Sequence, residues 1–424
     1  MKKKRTIGLL GLGTVGGGVV KVLKKFDNIE IKRIAVRNPE KAQIIEGLDR
    51  SIITTDSMSI AKDKDIDVLI EVIGGINPAF DLIKEAIKSG KHVVTANKEL
   101  IAKHGEEIFD LAKEHNVVVL YEAAVAGGIP IIMPLKQSLA ANRIKKVEGI
   151  LNGTTNYILT KMERENLDFN VVLEEAQALG YAEADPTGDV MGHDAGYKIA
   201  ILASLAFNKR IDVNKVYRQG ITDISSVDIE YAEKFGYKIK LIARAEEFED
   251  GQVDVRVHPM LVSKNNLISG IDDVMNAVAV TGDAVGKVMF SGPGAGELPT
   301  ASSVVGDLLA IASEMTVTDY PLPVMRCKHE EAAQQIDITE TQNKYYIRLK
   351  TQNVPGVIGE LGITFGKYNI NLNSFVQKGI LDDGDARIVL LTEIAYEKDI
   401  NAAIANLSET QIVTKVENVI RVMD

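Results

Sequence analysis

The sequence predicts an α/β protein with three parts: a Rossmann-type, doubly wound parallel sheet, a second α+β domain, and a ferredoxin-like C-terminal module. Three observations carry this. Short β-branched runs alternate with helical stretches through residues 6–121. A glycine turn, Gly11-Leu12-Gly13-Thr14-Val15-Gly16, lies between the first strand and the first helix. The last segment reads strand, helix, strand, strand, helix, strand.

The first run, 6–10, is apolar and leads into the glycine turn, and 17–25 reads as a helix. Gly11 permits the tight turn, Gly13 lets the backbone approach a pyrophosphate, and Gly16 lets strand and helix pack closely. The helix N-terminus offers unpaired N–H groups to the phosphates. The next strand, 29–36, ends at Val36-Arg37-Asn38, with Lys41 one turn on. An NAD-preferring site normally places a carboxylate there to accept from the ribose 2′-hydroxyl. Arg37 suits a 2′-phosphate instead, which favours NADP or dual use; the other reading is a solvated arginine.

Strands at 67–72, 92–95 and 117–121 alternate with helices at 78–89 and 100–115. Ligands of such sheets bind beyond the C-terminal strand ends. Lys98 lies just past one of them, and reads equally as a ligand contact or as a helix-start surface charge. Glu122 precedes a loop of small residues running to Ile129-Pro130. On sequence alone it is a turn opening the next domain, though a carboxylate with loop carbonyls also suits a hard cation.

From 131 to about 300 the rhythm changes. Strands are expected at 144–151, 239–246 and 252–261, and within 274–290 around a Gly282-Asp283 turn. An antiparallel sheet of this kind needs its second face covered, and a homodimer partner is one way. The strand at 144–151 ends in Asn152-Gly153-Thr154-Thr155-Asn156. A helix at 173–179 enters the stretch 176–198, which carries Glu183, Asp185, Asp189, His193, Asp194 and Lys198. Gly180, Pro186, Gly188 and Gly192 break it, so much of that charge sits on a shaped loop. Asp194 and Lys198 are four apart, on one face of a helix that continues as an apolar run. A second glycine loop, 291–299, precedes an apolar helix at 300–313 that is expected to pack back on the nucleotide fold.

The chain has 424 residues and 46% hydrophobic content, enough for two or three cores. A formal charge of −10 argues against general nucleic-acid binding. The single cysteine, Cys327, excludes an internal disulfide framework and fits a reducing compartment. The Met1-Lys-Lys-Lys-Arg5 start is followed by a glycine-rich strand and turn, not by a leader, and no apolar run is long enough to span a bilayer. The expectation is a soluble cytoplasmic protein with no nucleic-acid or membrane partner.

Residues 176–198 read A-x3-G-Y-A-x2-D-P-x2-D-V-x-G-x-D-x3-K. This resembles the signature of the homoserine dehydrogenase family at every fixed position. The glycine turn, Ala96-Asn97-Lys98-Glu99, Asn152 to Asn156, and Gly292 to Gly296 stand in that family's order, so the resemblance spans nearly the whole chain. It implies interconversion of L-homoserine and L-aspartate 4-semialdehyde with NADP or NAD, on the route to threonine and methionine, by a monofunctional member. It implies Lys198 as the acid–base group and Lys98 as a second active-site lysine, with the choice of proton carrier open. Glu183 and Asp194 would hold the substrate, Asp189 would orient Lys198, and Gly180 and Gly296 would touch the cofactor. It also implies a structural monovalent cation, usually sodium, at Glu122 with the carbonyls of Val125, Gly127 and Ile129. His193 falls at a variable motif position and receives no role.

The domains expected are 1–130 for the nucleotide, completed by about 300–325; 131–300 for catalysis and dimerisation; a polar linker at 326–343; and 344–424 at the end. In the last, strands are expected at 345–350, 370–377, 386–393 and 412–422, with helices ending near Tyr368 and at 396–407. Asn353-Val354-Pro355-Gly356-Val357-Ile358-Gly359 resembles the entry of an ACT domain. That implies amino-acid binding, with threonine the natural effector around 353–359 or 371–374, or a purely structural dimerisation role. Asn353 stands where many amino-acid-binding ACT domains carry Asp. A homodimer and a homotetramer both fit. The polar linker predicts that residues after 342 are dispensable for basal activity.

Overall fold

A computed structural model describes residues 4–315, 327 and 329–424. Six strands open the chain: β1 (Arg5–Leu10), β2 (Ile29–Ala35), β3 (Ile53–Thr54), β4 (Val68–Glu71), β5 (His92–Thr95) and β6 (Val119–Leu120). They pair in parallel in the order β3-β2-β1-β4-β5-β6. The order reverses at β1 and β4, so a crevice opens beyond their C-terminal ends. Helices α1 (Thr14–Leu23), α2 (Ser57–Lys62), α3 (Ala79–Lys88) and α4 (Lys98–Glu114) make the crossovers. The sequence reading missed β3 and α2. A two-residue strand has no period to detect, and the main signal for α2 is Asp56, whose side chain caps it by accepting from Ser59 N–H.

The middle of the chain contains β7 (Ile144–Ile150), α5 (Gly153–Glu165), α6 (Phe169–Ala178), α7 (Thr187–Val190), α8 (His193–Phe207), β8 (Lys209–Arg210), β9 (Tyr217–Arg218), α9 (Ser226–Lys234), β10 (Tyr237–Glu247), β11 (Val253–Ser263), β12 (Met275–Gly282) and β13 (Gly286–Pro293). Strands β13-β12-β7-β10-β11 form an antiparallel sheet. Ile239, Leu241, Ala243 and Ala245 of β10 share one core with Ile199, Leu202 and Ala203 of α8. On the other face Ile150, Ile242, Met260, Val262 and Ala279 form a smaller cluster. Met423, from the chain's own last strand, joins that cluster.

Helix α10 (Glu297–Glu314) then returns to the first sheet. Its Ala301, Val304, Val305, Leu308 and Ile311 share a core with Ile7 and Leu9 of β1 and Val19, Val20 and Leu23 of α1. Each large aliphatic chain so buried contributes about 1.5–3 kcal/mol. Contact is close because Gly18 has no side chain: a Cβ there would lie 2.6 Å from the Glu297 carbonyl oxygen and 2.9 Å from Ala301 Cβ. The part of the expected completing segment at 316–325 lies outside the described residues.

The C-terminal part has β14 (Glu331–Ala332), β15 (Gln342–Thr351), α11 (Val357–Lys367), β16 (Leu372–Ile380), β17 (Ala386–Thr392), β18 (Ala395–Tyr396), α12 (Glu397–Glu409) and β19 (Val413–Met423). Its main strands lie in the order β19-β15-β17-β16, with α11 and α12 on one face around Tyr345, Ile347, Leu361, Phe365, Ile388 and Ile400. This is the ferredoxin-like order. The module is not separate, however. β19 pairs in parallel with β11 through Met260↔Arg421, Leu261↔Val422 and Val262↔Met423, so the two sheets continue as one. Its open face brings Tyr346, Val389, Leu391 and Ile420 into the middle core. Arg348 Nε lies 2.7 Å from Oδ1 of the fully buried Asp228, which also accepts from the Tyr346 hydroxyl at 3.1 Å and Asn418 Nδ2 at 3.0 Å.

The polar stretch expected as a linker is tied down wherever it is described; residues 326 and 328 lie outside the described residues. Glu331 and Ala332 pair with Lys209 and Arg210. The Gln334 carbonyl accepts from Val253 N–H at 2.9 Å, and Cys327 Sγ is 3.0 Å from the Tyr121 hydroxyl. Most of these bonds are main-chain bonds, which leave no hydrophobic period behind, so the stretch reads as a linker. Helix α9 was also missed, although Ser225 and Asp228 form a capping box at its start. Among the described residues no helix is long and apolar enough to cross a membrane.

Candidate active site

The crevice is built by the glycine turn and two neighbouring strand ends. Gly11 has φ +103°, a conformation that favours glycine. A Cβ on Gly16 would lie 2.1 Å from the Gly11 carbonyl oxygen, so the turn can close only around glycine. The space beside Gly13 is open to 4 Å, where an approaching ligand finds bare backbone. Leu12, Thr14 and Val15 complete the turn into α1. Arg37 is exposed two residues past Ala35, the last residue of β2. Across the crevice Gly296 has φ +124° and precedes α10.

A residue the sequence reading overlooked organises the next strand ends. Glu71, at the end of β4, is fully buried. Its Oε2 accepts from Thr95 Oγ1 at 2.6 Å, and its Oε1 accepts from the N–H groups of Ile73 at 2.9 Å and Gly74 at 3.1 Å. Burial pushes this carboxyl above the usual carboxylate range. Asn97 donates to the Gly75 carbonyl at 2.6 Å and accepts from Leu100 N–H, capping α4. Lys98 is therefore the first residue of a helix whose start is pinned to the glycine loop after β4.

Lys98 reaches across to the middle of the chain. Its Nζ is 2.9 Å from Oδ1 of Asp194, in the first turn of α8. The other oxygen of Asp194 is 2.6 Å from Nζ of Lys198, one turn on. Lys198 also donates to the Leu151 carbonyl at 2.7 Å. Asn152 closes the cluster: its Nδ2 donates to Asp194 Oδ2 at 3.0 Å and to Asp189 Oδ1 at 2.7 Å. Its Oδ1 is held by Thr155 N–H, so the amide is locked as the N-cap of α5. The sequence reading placed Asn152 in a stretch that stands in the family's order but gave it no role of its own; the N-cap spacing to Thr155 is its visible signal.

The electrostatics differ for each member. Burial alone would raise Asp194, but the two ammonium groups and the Asn152 amide outweigh it and hold the carboxyl well below its usual range. Asp194 draws Lys98 above the ordinary lysine value. Burial lowers Lys198, and the Lys98 charge lowers it further against the pull of Asp194. Burial and the nearby Asp194 raise Asp189, against its bond from Asn152. The two lysines are thus pushed in opposite directions, Lys98 up and Lys198 down.

The remaining motif residues fall around this cluster. Gly180 has φ +77° and ends the turn after α6. Glu183 is exposed on the loop before Pro186, and no hydrogen bond or ion pair ties its carboxylate to Lys98, Asp194 or Lys198. His193 begins α8 at the edge of the cluster, and burial lowers its imidazole. A cavity of about 630 Å³ lies farther along the α4–α8 cleft, lined by Ile101, Phe109, Tyr121, Ile201 and Arg210. None of Lys98, Asp194 or Lys198 lines it, so it is not where this chemistry sits.

Glu122 departs from the expected carboxylate cation ligand. Its Oε1 accepts from Ile131 and Ile132 N–H at 2.6 and 2.7 Å, and its Oε2 from Met133 N–H at 2.8 Å. The carboxylate caps the start of a short helical turn, Pro134–Ser138, where unpaired N–H groups attract it. Its own N–H donates to Asp307 Oδ2 at 2.8 Å. Burial pushes Asp307 up to about 8. The Gly127 carbonyl accepts from Ser303 Oγ at 2.7 Å, and the Gly128 N–H donates to Pro293 at 3.1 Å. The turn thereby joins the 292–296 glycine loop. Among the described residues no group of three or more His, Cys, Asp or Glu is gathered for a metal.

Comparison with known proteins points to one family. A family profile described as homoserine dehydrogenase matches residues 130–309, and one described as its NAD binding domain matches 11–122. The chain is 47% identical to a homoserine dehydrogenase of Synechocystis sp., over 98% of this chain and 99% of that one. It superposes on the crystal structure of a Thiobacillus denitrificans homoserine dehydrogenase with TM-score 0.94 and 41% identity, covering 100% and 99% of the two chains. A hyperthermophilic archaeal homoserine dehydrogenase in complex with NADPH matches 75% of this chain and all of its own at TM-score 0.63 and 26% identity.

Proposed function

The chain belongs to the homoserine dehydrogenase family, and from that premise we propose which of its residues carry the reaction. That reaction interconverts L-homoserine and L-aspartate 4-semialdehyde. A nicotinamide nucleotide supplies the hydride acceptor or donor when bound. Lys198 takes the hydroxyl proton in oxidation and returns it to the aldehyde oxygen in reduction. Lys98 stays charged and polarises the same oxygen. Asp194 fixes both ammonium groups, Asp189 orients Lys198 through Asn152, and Glu183 with Asp194 holds the substrate. The observation that carries this is one buried carboxylate bridging two lysines from opposite sides of the crevice.

Homoserine-dependent reduction of NAD or NADP, run beside other small hydroxy and amino acids, tests it. Turnover with homoserine that is lost in Lys198→Ala while cofactor still binds is the expected result. Wild-type turnover in that variant would remove Lys198 from the proton step.

The phosphate cradle proposed is Gly11, Leu12, Gly13, Thr14, Val15 and Gly16, with Gly180, Gly296 and Lys98 nearer the reacting end. NADP is the preferred cofactor on this reading: Arg37 is exposed past β2 with no carboxylate in the usual NAD position, and an archaeal relative is known with NADPH. A monovalent cation, sodium by family likeness, would sit at the Glu122–Ile129 turn. Because the Glu122 carboxylate is committed to three N–H groups, the fitting donors are the carbonyls of Glu122, Val125, Gly127 and Ile129. Successive left-handed residues, Ala126 at φ +55° and Gly127 at φ +49°, curl that turn.

The C-terminal module, read as an ACT domain, is proposed to bind threonine near 353–359 or 371–374. Association of copies into a dimer or tetramer is supported by β16, an edge strand with Phe375 52% and Ile380 69% exposed. The proposed working divisions remain 1–130 with 300–325, 131–300 and 344–424, and the single cysteine supports the cytoplasm as the compartment.

A further inference from the structure

The last strand of the chain reaches the catalytic loop through a short run of bonds. Arg421, in β19, is 4% exposed. Its Nε donates to Glu397 Oε2 at 2.8 Å, its Nη1 to Gln219 Oε1 at 2.9 Å, and its Nη2 to the Tyr217 hydroxyl at 3.3 Å. Asn418, three residues earlier, donates to the Asp223 carbonyl at 3.0 Å. The strand therefore grips both ends of segment 217–223.

The middle of that segment grips the catalytic loop. Gln219 N–H donates to the Val257 carbonyl and Ile221 N–H to the Val190 carbonyl, both at 2.9 Å. At Gly220 a Cβ would lie 2.4 Å from the Val190 carbonyl oxygen and 3.0 Å from Met191 Cα, so the two backbones touch. Val190 follows Asp189, whose Oδ1 accepts from Asn152, and the same amide nitrogen reaches Asp194. Beside it, Arg218 packs on Gly196 of α8, where a Cβ would lie 3.0 Å from the Arg218 Cδ.

We propose that Arg421 and Gln219 are positioning residues for catalysis: they set the 219–221 turn, which holds α7 and thereby places Asp189 and Asn152 against Asp194. This rests on the reading of Asp189 and Asp194 given above. The physical reason is packing. Where main chains touch without a side chain between them, a displaced turn has no slack to absorb the shift. Misplacement of catalytic groups by 1 Å can cost about 100-fold in rate. A movement of β19 is thus felt at Asp189.

Gln219→Met tests this without disturbing the buried Arg421–Glu397 pair. It should lower kcat about tenfold while leaving the cofactor dissociation constant, measured by fluorescence titration, unchanged. The same substitution in an Asp189→Asn background should have no further effect on kcat, because the path ends at Asp189. Gly220→Ala should give the larger loss of kcat, again at unchanged cofactor affinity. Multiplicative losses in the double variant, wild-type kcat in Gln219→Met, or a loss confined to cofactor affinity would overturn the proposal. Wild-type kcat in Asp189→Asn alone would instead overturn the site reading beneath it.

Discussion

Nζ of Lys98 and Oδ1 of Asp194 meet at 2.9 Å across the crevice. One begins α4 of the nucleotide-binding sheet; the other lies in the first turn of α8. Each side of the crevice thus supplies one charge of the pair, and Asp194 passes the link on to Lys198.

That bridge predicts a division between the two lysines. Lys198→Ala should lower kcat by about 10²–10⁴ with the fold retained, the range for loss of a general acid–base group. Lys98→Met should also lower kcat and, in addition, move the pH profile. The Lys98 charge helps lower Lys198, so removing it raises Lys198. With Lys198 as the proposed proton acceptor, oxidation of homoserine should then begin its rise at higher pH than in the wild type. Steady-state rates across pH, with circular dichroism as the control, check both; an unmoved profile would show that Lys98 does not tune Lys198.

Asp307 predicts a pH effect on stability. Its folded value is about 8, against 3.8 when unperturbed, so the folded state holds its proton more tightly than the unfolded chain. That contribution is fully present below the unfolded value and is lost as pH rises through the folded one. Asp307→Asn, which keeps an acceptor for Glu122 N–H, should therefore gain in Tm over the wild type as pH rises from 4 to 8, levelling beyond that. A Tm difference constant with pH would contradict the buried-acid account.

Arg37→Ala should raise KM for NADP by about 10- to 150-fold and leave KM for NAD nearly unchanged. The loss is that of one charge-assisted bond to a 2′-phosphate, worth about 1.5–3 kcal/mol. Equal changes for the two cofactors would remove Arg37 from the phosphate site.

Truncation after Thr341 should not give the active core that a linker-separated module would allow. It strips β19 from β11, removes Tyr346, Leu391 and Ile420 from the main core, and takes Arg348 away from Asp228. The truncated chain should be aggregated or should melt well below the full chain by calorimetry. A well-folded truncation with full activity would overturn this.

The sequence by itself determined the alternation of strands and helices, the glycine turn, the 176–198 motif and the ferredoxin-like order of the end. These are local facts: period, turn chemistry and capping are written in neighbouring residues. It named Lys98, Asp194 and Lys198 together only through the motif's likeness to a family, not by geometry.

Tertiary structure decided the rest. It turned the Glu122 carboxylate to a helix start, made Asn152 the joint between two carboxylates, left Glu183 exposed, and fused the last strand to β11. The physical reason is that each depends on which groups the fold brings together. β19 meets β11 through main-chain bonds between remote segments, the Glu122 carboxylate meets main-chain N–H groups, and Asn152 meets two carboxylates side chain to side chain, and none of these meetings leaves a period in the sequence.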